Sequence, residues 1–264
     1  MLSVRLIPCL LLDGRGLVKT VRFKDPTYVG DPINAVKIYN DRFVDEIIFL
    51  DINASEERRG PDFEQVANIV SESFIPFCYG GGVRSVADAD RLFALGVEKV
   101  AVNTAAVRRP ELVAELAQRF GSQSIVAAMD VRRELFGRHV LLTGRGRRKE
   151  SVTPLEHARR MAAQGAGELF VNAVDRDGTM QGFDEELVGA LVDAVNIPVI
   201  ACGGAGSLAD VRALVERTRV SAVACGSLFV FKGKHRGVLI NYPSRREVKA
   251  LLGDLAPAGT ADRT

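Results

Sequence analysis

Ile75-Pro-Phe-Cys-Tyr-Gly-Gly-Gly-Val-Arg-Ser85 predicts a buried β-strand that ends in three glycines and leads into an α-helix capped by Ser85. The glycines at positions 80–82 allow main-chain N–H groups to come close to a ligand. The positive end of the following helix dipole points to the same place. Together these features hold a phosphate group without a lysine side chain, so the stretch predicts a phosphate-binding turn.

The same pattern occurs a second time in Ile197-Pro-Val-Ile-Ala-Cys-Gly-Gly-Ala-Gly-Ser207, at an offset of 122 residues. Two further pairs of segments keep this offset to within one residue: Glu46-Ile-Ile-Phe49 with Glu168-Leu-Phe-Val171, and Asn103-Thr104 with Gly226-Ser227. Two unrelated strand–helix turns could look alike, but three landmarks in one register favour a chain of two homologous halves. Each half is then expected to hold one phosphate, which predicts a ligand with a phosphate group at each end.

The length and composition fit an α/β barrel and argue against several other classes. The chain has 264 residues, of which 47% are hydrophobic, and barrels of about 250 residues are ordinary single domains. The net charge of +2 is too small to indicate nucleic-acid binding. The four cysteines contain no C-x-x-C pair, which argues against disulfides and a metal site and fits a reducing cytoplasm. We also expect no signal peptide and no membrane span, because no uncharged apolar run reaches about 18 residues.

Apolar strand candidates alternate with amphipathic helix candidates along the chain. The strands are predicted near residues 4–11, 45–51, 75–79, 98–103, 124–130, 167–173, 197–202 and 220–225. The helices are predicted near residues 32–41, 62–72, 86–95, 110–120, 154–165, 184–194, 207–217 and 244–254. Several strands are apolar on both faces, as in a parallel sheet that is covered all round.

Eight such alternations in two matched halves predict a (β/α)8 TIM barrel made of two homologous half-barrels. We expect one barrel domain over residues 1–254 and a disordered tail at 255–264, where the residues are mostly small or polar. A doubly wound open sheet is the alternative, but it does not explain two halves in one register.

Chemistry in such barrels takes place at the carboxyl ends of the strands. Asp13, Asp51 and Asp130 follow the first, second and fifth predicted strands. The predicted loops 14–31 and 143–149 add positive charge at the same end. This combination suits an anionic bisphosphate. Each aspartate taken alone could equally be a helix cap or turn residue, and the basic loops could be a solvated surface.

Four charged residues are predicted at the amino-terminal ends of strands, at the opposite end of the barrel: Arg5, Glu46, Lys99 and Glu168. Charges at these positions form a ring around the bottom of the barrel. From the residues alone, a salt-bridge plug is the favoured interpretation.

Specific motifs occur in order along nearly the whole chain: Ile7-Pro-Cys-Leu10, Gly30-Asp-Pro32, Phe49-Leu-Asp51, Gly80-Gly-Gly-Val-Arg-Ser85, Phe120-Gly-Ser-Gln123 and Asp175-Arg-Asp-Gly-Thr179. Through these motifs, the chain resembles the cyclase subunit of imidazole glycerol phosphate synthase from about residue 1 to 252. The resemblance implies no cofactor and a heterodimer with a glutaminase subunit that supplies ammonia. The implied bisphosphate substrate is phosphoribulosyl-formimino-aminoimidazole carboxamide ribonucleotide. The implied products are imidazole glycerol phosphate and an aminoimidazole carboxamide ribotide.

By position, the resemblance also implies the site residues. One phosphate cradle falls on Gly82, Asn103 and Thr104, and the other on Asp177, Gly178, Gly204, Gly226 and Ser227. The four charged residues at the bottom become, in place of a plug, the entry through which ammonia reaches the barrel: Arg5, Glu46, Lys99 and Glu168.

The catalytic residues are matched only in part. Asp130 matches one member of the family's acid–base pair of aspartates, and Leu11 stands where the other is expected. Asp13 could replace the missing aspartate only if its glycine-rich loop is rearranged. Lys19 and Asp51 match family positions and complete the catalytic candidates.

The departures from the family pattern resemble a paralogous branch that is associated with amidation of sugars for bacterial surface polysaccharides. They comprise Leu11 and residues 13–20, 23–30 and 235–243. That branch implies a sugar amidotransferase or synthetase as a further partner. Two alternatives stay open: the ordinary cyclase of histidine biosynthesis, and a partner that passes ammonia without cyclase turnover. An isomerase of the related aminoimidazole ribotide family shares the half-barrel, but it needs no ammonia, so the charged residues at the bottom argue against it.

Overall fold

The computed structural model describes residues 4–255 and residue 257. The strands are β1 (Arg5–Asp13), β2 (Gly16–Val21), β3 (Lys24–Gly30), β4 (Ile47–Asp51), β5 (Phe77–Gly80), β6 (Lys99–Val102), β7 (Ile125–Arg133), β8 (His139–Thr143), β9 (Arg148–Lys149), β10 (Glu168–Ala173), β11 (Val199–Cys202), β12 (Ala222–Cys225), β13 (Phe231–Lys232) and β14 (Gly237–Val238). The α-helices are α1 (Pro32–Asp41), α2 (Phe63–Val70), α3 (Val86–Ala94), α4 (Thr104–Arg108), α5 (Glu111–Phe120), α6 (Pro154–Ala163), α7 (Glu185–Ala194), α8 (Leu208–Thr218), α9 (Ser227–Val230) and α10 (Arg245–Leu252).

Within residues 4–255, eight parallel strands close into a barrel in the order β1, β4, β5, β6, β7, β10, β11 and β12. β12 pairs with β1, so that Arg5 lies opposite Ala222 and Pro8 lies opposite Cys225. This pairing confirms the predicted (β/α)8 barrel. The alternative of a doubly wound open sheet is wrong, because such a sheet has two edge strands that do not pair with each other.

The two halves repeat each other in backbone detail. Ser85 and Ser207 cap α3 and α8 with nearly the same dihedral angles, φ −146° and ψ 161° against φ −150° and ψ 164°. Gly82 and Gly204 both have positive φ, at 72° and 115°. The repeat seen in the sequence is therefore also a repeat of local conformation.

Side chains of the barrel strands divide between two cores. Those that face the helices include large aromatic residues, and the rings of Phe49 and Phe77 stack at a centroid distance of 4.9 Å. Those that face the barrel axis are mostly smaller and form a separate apolar cluster of Ile7, Cys9, Ile48, Cys78, Ala101, Val126, Ala128, Phe170, Ile200, Cys202, Ala222 and Ala224. This axial cluster separates the bottom of the barrel from the carboxyl ends of the strands.

Three segments that the sequence predicts as loops contain hairpins instead. β2 and β3 pair antiparallel beyond the end of β1, β8 and β9 extend β7, and β13 pairs with β14. The turn between β2 and β3 is made by Arg22 and Phe23, with φ of 52° and 63°. Such turns usually carry Asn or Gly, so the sequence signal for this hairpin is missing.

In the part of the chain that the structure describes, no helix combines the length and apolar character that crossing a membrane requires. The tail predicted at 255–264 lies outside the described residues, apart from Leu255 and Pro257.

His157 on α6 is 1% exposed, and neither ring nitrogen has a hydrogen-bond partner among the described residues. Burial first, and the charge of Arg160 second, lower the pKa of His157 from 6.5 to about 4. Between these values the unfolded chain binds a proton that the folded chain does not, so stability falls as the pH decreases through this window. We expect His157→Leu to remove up to about 3 kcal/mol of this fall between about pH 7.5 and pH 4, measured by urea denaturation.

His235 provides the matched control, because it lies exposed on the β13–β14 hairpin. His235→Leu should keep the pH dependence of the free energy of unfolding seen in the parent protein. Identical pH dependence in the parent and in His157→Leu would contradict the prediction.

Candidate active site

A cavity of 890 Å³ opens at the carboxyl ends of the barrel strands. Inward-facing side chains of the strands form its floor: Cys9, Leu11, Leu50, Ala101, Ala128, Phe170 and Cys202. Loops and hairpins that follow the strands form its walls. The position agrees with the rule that barrel chemistry takes place at this end of the strands.

Asp130 on β7 lines this cavity and continues the inward-facing row of Val126 and Ala128. Its Oδ2 accepts a hydrogen bond of 2.8 Å from Nδ2 of Asn103. Burial raises the pKa of Asp130 to about 7, while the hydrogen bond from Asn103 opposes the rise and the charge of Asp177 adds to it. Near neutral pH this carboxyl is therefore present in both forms, as a residue that donates and accepts protons requires.

The predicted acid Asp13 does not line the cavity. It ends β1, where it pairs with Gly16, and its Oδ1 accepts a hydrogen bond of 2.7 Å from Nδ2 of Asn53. Leu11 lines the cavity floor instead. The cavity therefore contains Asp130 from β7 and Leu11 from β1, and β1 contributes no carboxylate to it.

Asp51 lines the cavity, but its oxygens already have partners. The two oxygens accept hydrogen bonds of 2.6 and 2.9 Å from the Arg59 guanidinium, and Oδ1 also accepts from the backbone N–H groups of Asn53 and Ala54, both at 3.1 Å. These contacts fix the loop after β4. An added Cβ at Gly82 would lie 2.8 Å from the carbonyl oxygen of Arg59, so this loop also forms the back of the first predicted cradle.

The first predicted cradle is open to the cavity. Its three residues line the cavity: Gly82, Asn103 and Thr104. The helices α3 and α4 begin beside them. Oδ1 of Asn103 is buried without a hydrogen-bond partner among the described residues. The backbone and this amide are thus available to a ligand.

The second predicted cradle is assembled but nearly filled. Its residues surround a void of about 10 Å³: Asp177, Gly178, Gly204, Gly226 and Ser227. Lys19 on β2 lies in this space, with its Nζ 2.6 Å from Oδ1 of Asp177. The void has room for about one water molecule, so a phosphate group enters only if Lys19 moves aside.

The β13–β14 hairpin lies against the same cradle. Nη2 of Arg236 donates a hydrogen bond of 3.0 Å to the carbonyl oxygen of Gly178, and its guanidinium lies 4.7 Å from the ring centroid of Phe231. The segment 235–243, which departs from the family pattern, therefore adds a positive charge at the second cradle.

Asn172 on β10 is a site residue that the sequence interpretation missed. It is 6% exposed, lines the cavity and lies opposite Asp130 in the register of β10 and β7. Its Oδ1 has no hydrogen-bond partner among the described residues. The available sequence signal was the alternation of side chains along a strand. It places Glu168, Phe170 and Asn172 on the face of β10 that points to the barrel axis.

At the bottom of the barrel, the four predicted charged residues form what we call the charged ring: Arg5, Glu46, Lys99 and Glu168. Arg5 contacts Glu46 and lies 2.6 Å from Glu168, and Lys99 lies 2.9 Å from both glutamates. Burial alone would lower the pKa of Lys99, but the charges of Glu46 and Glu168 outweigh it and raise the pKa. Each cation therefore bridges both carboxylates in its charged form.

Comparison with known proteins gives consistent matches. The family model "Histidine biosynthesis protein" matches residues 5–236. The chain is 53% identical to the putative imidazole glycerol phosphate synthase subunit hisF2 of Pseudomonas aeruginosa, over 92% of this chain and 97% of that protein. It is 46% identical to the putative subunit hisF3 of Vibrio vulnificus, over 96% and 97%. It is 44% identical to the imidazole glycerol phosphate synthase subunit HisF of Streptomyces coelicolor, over 87% and 91%.

Proposed function

The chain belongs to the histidine biosynthesis family, among its HisF-type imidazole glycerol phosphate synthase subunits, and from this premise we propose that it is an ammonia-consuming cyclase subunit for a substrate with two phosphate groups. The proposed substrate is phosphoribulosyl-formimino-aminoimidazole carboxamide ribonucleotide. One observation carries the proposal: Asp130 lies on a cavity floor between two glycine-built cradles, on the axis that leads up from the charged ring.

Asp130 is proposed to perform both proton transfers of the reaction. Ammonia attack, cleavage of a carbon–nitrogen bond and ring closure require protons to move in both directions. A carboxyl group with a pKa near 7 can accept a proton in one step and return it in the next. Because Leu11 carries no carboxylate, Asp130 has to transfer the protons that two aspartates would otherwise share.

A glutaminase subunit is proposed to dock on the face that carries the charged ring. Phe43 and Phe74 lie in the connections that precede β4 and β5, at this face, and are 65% and 89% exposed. Aromatic residues at such exposure are typical of contact surfaces. Ammonia would pass the charged ring when a bridge opens, and then the mostly small side chains of the axial cluster.

We place the chain in a paralogous branch that serves amidation of a surface-polysaccharide sugar, with a sugar amidotransferase or synthetase as a further partner. Two features support this placement. Identity is higher with the hisF2 protein, at 53%, than with the HisF protein, at 44%. The departures from the family pattern include Leu11 on the cavity floor and the hairpin that carries Arg236 beside the second cradle.

A second candidate function is passage of ammonia without cyclase turnover. It is favoured by Leu11 on the cavity floor and by the position of Asp13 outside the cavity. Incubation of the purified protein with the ribulosyl substrate and ammonium at about pH 8.5 separates the two functions, because it needs no glutaminase. Imidazole glycerol phosphate as a product supports the cyclase. A folded protein without turnover rejects it.

Lys99 tests the proposed entry of ammonia. Its flexible ammonium holds both glutamates of the charged ring at 2.9 Å. Without it, Arg5 alone bridges Glu46 and Glu168, and one unbalanced negative charge remains in the ring. We expect Lys99→Met to lower the ratio of product formed to glutamine hydrolysed in the complex with a glutaminase, while turnover with added ammonium persists.

Lys249→Met is the matched control, since Lys249 is exposed on α10, away from the ring. It should leave this ratio as in the parent protein. An unchanged ratio in Lys99→Met would show that the ring plays no part in ammonia transfer.

A further inference from the structure

Two residues that line the cavity have buried amide oxygens without a hydrogen-bond partner among the described residues. The oxygens are Oδ1 of Asn103, which follows β6, and Oδ1 of Asn172 on β10. An unpaired buried acceptor is unfavourable, because it has lost its hydrogen bonds to water and gained none from the protein. Two such acceptors in one cavity lining therefore point to a small ligand that donates hydrogen bonds.

The two amides flank Asp130. β7 pairs with β6 on one side and with β10 on the other, and Asn172 lies opposite Asp130 in the register of β7 and β10. Nδ2 of Asn103 donates the hydrogen bond of 2.8 Å to Asp130, so the Asn103 amide turns its amino group to the carboxylate and keeps its oxygen free. We call Asn103, Asp130 and Asn172 the acceptor cluster.

The fold does not require a polar side chain at position 172. At the repeat offset of 122 residues, Asn172 on β10 corresponds to Leu50 on β4. Leu50 also lines the floor of the cavity, and it is apolar. The amide at position 172 is therefore a property of one half of the barrel, as expected of a group that serves a ligand.

The acceptor cluster lies at the upper end of the axis that begins at the charged ring. Because side chains alternate along a strand, two inward-facing rows connect the ring with the cluster. They are Lys99, Ala101 and Asn103 along β6, and Glu168, Phe170 and Asn172 along β10. A small molecule that passes the ring and the axial cluster therefore meets these amides as it enters the cavity.

Ammonia fits this set of groups. Its nitrogen has three N–H donors and one lone pair, and the lone pair has to attack the substrate carbon. Acceptor oxygens hold the N–H groups and leave the lone pair free, whereas a hydrogen-bond donor would engage it. Leu11 and Leu50, which also line the floor, offer no competing donor.

We infer that Asn172, together with Asn103 and Asp130, binds ammonia where it enters the cavity. The two amide oxygens accept hydrogen bonds from ammonia and leave its lone pair free for the substrate carbon. As the new carbon–nitrogen bond forms, the nitrogen gains a positive charge and passes one proton to the carboxylate of Asp130. This inference rests on the proposed cyclase function and adds a binding residue for the nucleophile.

Two variants of nearly the same shape test the inference, because Thr carries a hydroxyl oxygen where Val carries a methyl group. We expect Asn172→Val to raise the KM for ammonium by about five- to tenfold, the effect of one lost hydrogen bond. The kcat and the KM for the ribulosyl substrate should stay within about twofold of the parent values. Asn172→Thr keeps an acceptor and should leave the KM for ammonium within about twofold. Steady-state kinetics of the purified chain without a glutaminase, at one fixed pH, measure these constants.

Asn68→Val is the matched control, since Asn68 is exposed on α2, outside the cavity. It should leave both KM values as in the parent protein. Equal rises in the KM for ammonium in Asn172→Val and Asn172→Thr would overturn the inference, because the shape of the side chain and not its oxygen would then matter. A rise in the KM for the ribulosyl substrate alone would also overturn it, because Asn172 would then bind the other substrate.

The same kinetics keep the inference separate from the proposed function. Turnover by the parent protein with an unchanged KM for ammonium in Asn172→Val removes the inference and leaves the cyclase proposal standing. A folded parent protein without turnover removes both.

Discussion

Asp130→Asn is expected to lower ammonium-dependent turnover by about 10²–10⁴-fold while phosphate binding persists. The amide keeps the shape of the side chain and can still contact Asn103, but it cannot take up or release a proton. Steady-state kinetics with the ribulosyl substrate measure the loss. In the parent protein, kcat/KM at constant free ammonia should rise as the pH increases through about 7, because the ionised form of Asp130 is the base.

Asp13→Asn is the matched control for this experiment. Asp13 lies at the end of β1, held by Asn53 and outside the cavity. Its replacement should leave turnover within about threefold of the parent value. Equal losses in Asp13→Asn and Asp130→Asn would mean that the strand-one end supplies the second acid after all.

Lys19→Met is expected to destabilise the fold by about 3–5 kcal/mol, because it leaves Asp177 buried without its counter-charge. The Nζ of Lys19 lies 2.6 Å from Oδ1 of Asp177, and the two side chains are only 6% and 7% exposed. Thr20 provides one additional hydrogen bond of 3.2 Å to Asp177, which is not enough to replace an ammonium group. Urea denaturation at neutral pH measures the change in the free energy of unfolding.

Two further variants separate the loss of charge balance from the loss of packing. The double variant Lys19→Met/Asp177→Asn should recover much of the stability, because no unpaired charge remains. Lys37→Met, which breaks a bridge of 3.3 Å to Glu72 between side chains 55% and 44% exposed, should cost less than about 1 kcal/mol. A double variant no more stable than Lys19→Met would contradict the role assigned to the pair.

The barrel could be predicted from the sequence because its elements are periodic and locally encoded. Buried runs such as Ile47–Asp51 and capped helices such as α3 carry their signals within a few residues. The duplicated glycine turns favoured a closed barrel over an open sheet, because they show that the chain consists of two matched halves. The hairpin of β2 and β3 escaped prediction because Arg22 and Phe23 adopt turn conformations that the usual residues do not mark.

The site was predicted less completely, because its chemistry depends on contacts between distant segments. Asp51 is a catalytic candidate by position, yet its pairing with Arg59 fixes it as a support for the loop behind Gly82. Nothing local in the sequence indicates that Lys19 reaches Asp177 across 158 residues of chain. Asn172 is recognisable only once the inward-facing row of β10 is known.

The seating of the β2–β3 hairpin has a consequence for the order of events during a catalytic cycle. The hairpin packs on Gly178 through Thr20 and places Lys19 where a phosphate group would rest. Under the proposed function, binding of a phosphate group at this end requires that Lys19 move aside, and departure of the product allows it to return. On this proposal, exchange of ligand at the second cradle proceeds no faster than the movement of Lys19, and breaking its ion pair with Asp177 is part of the cost of each exchange.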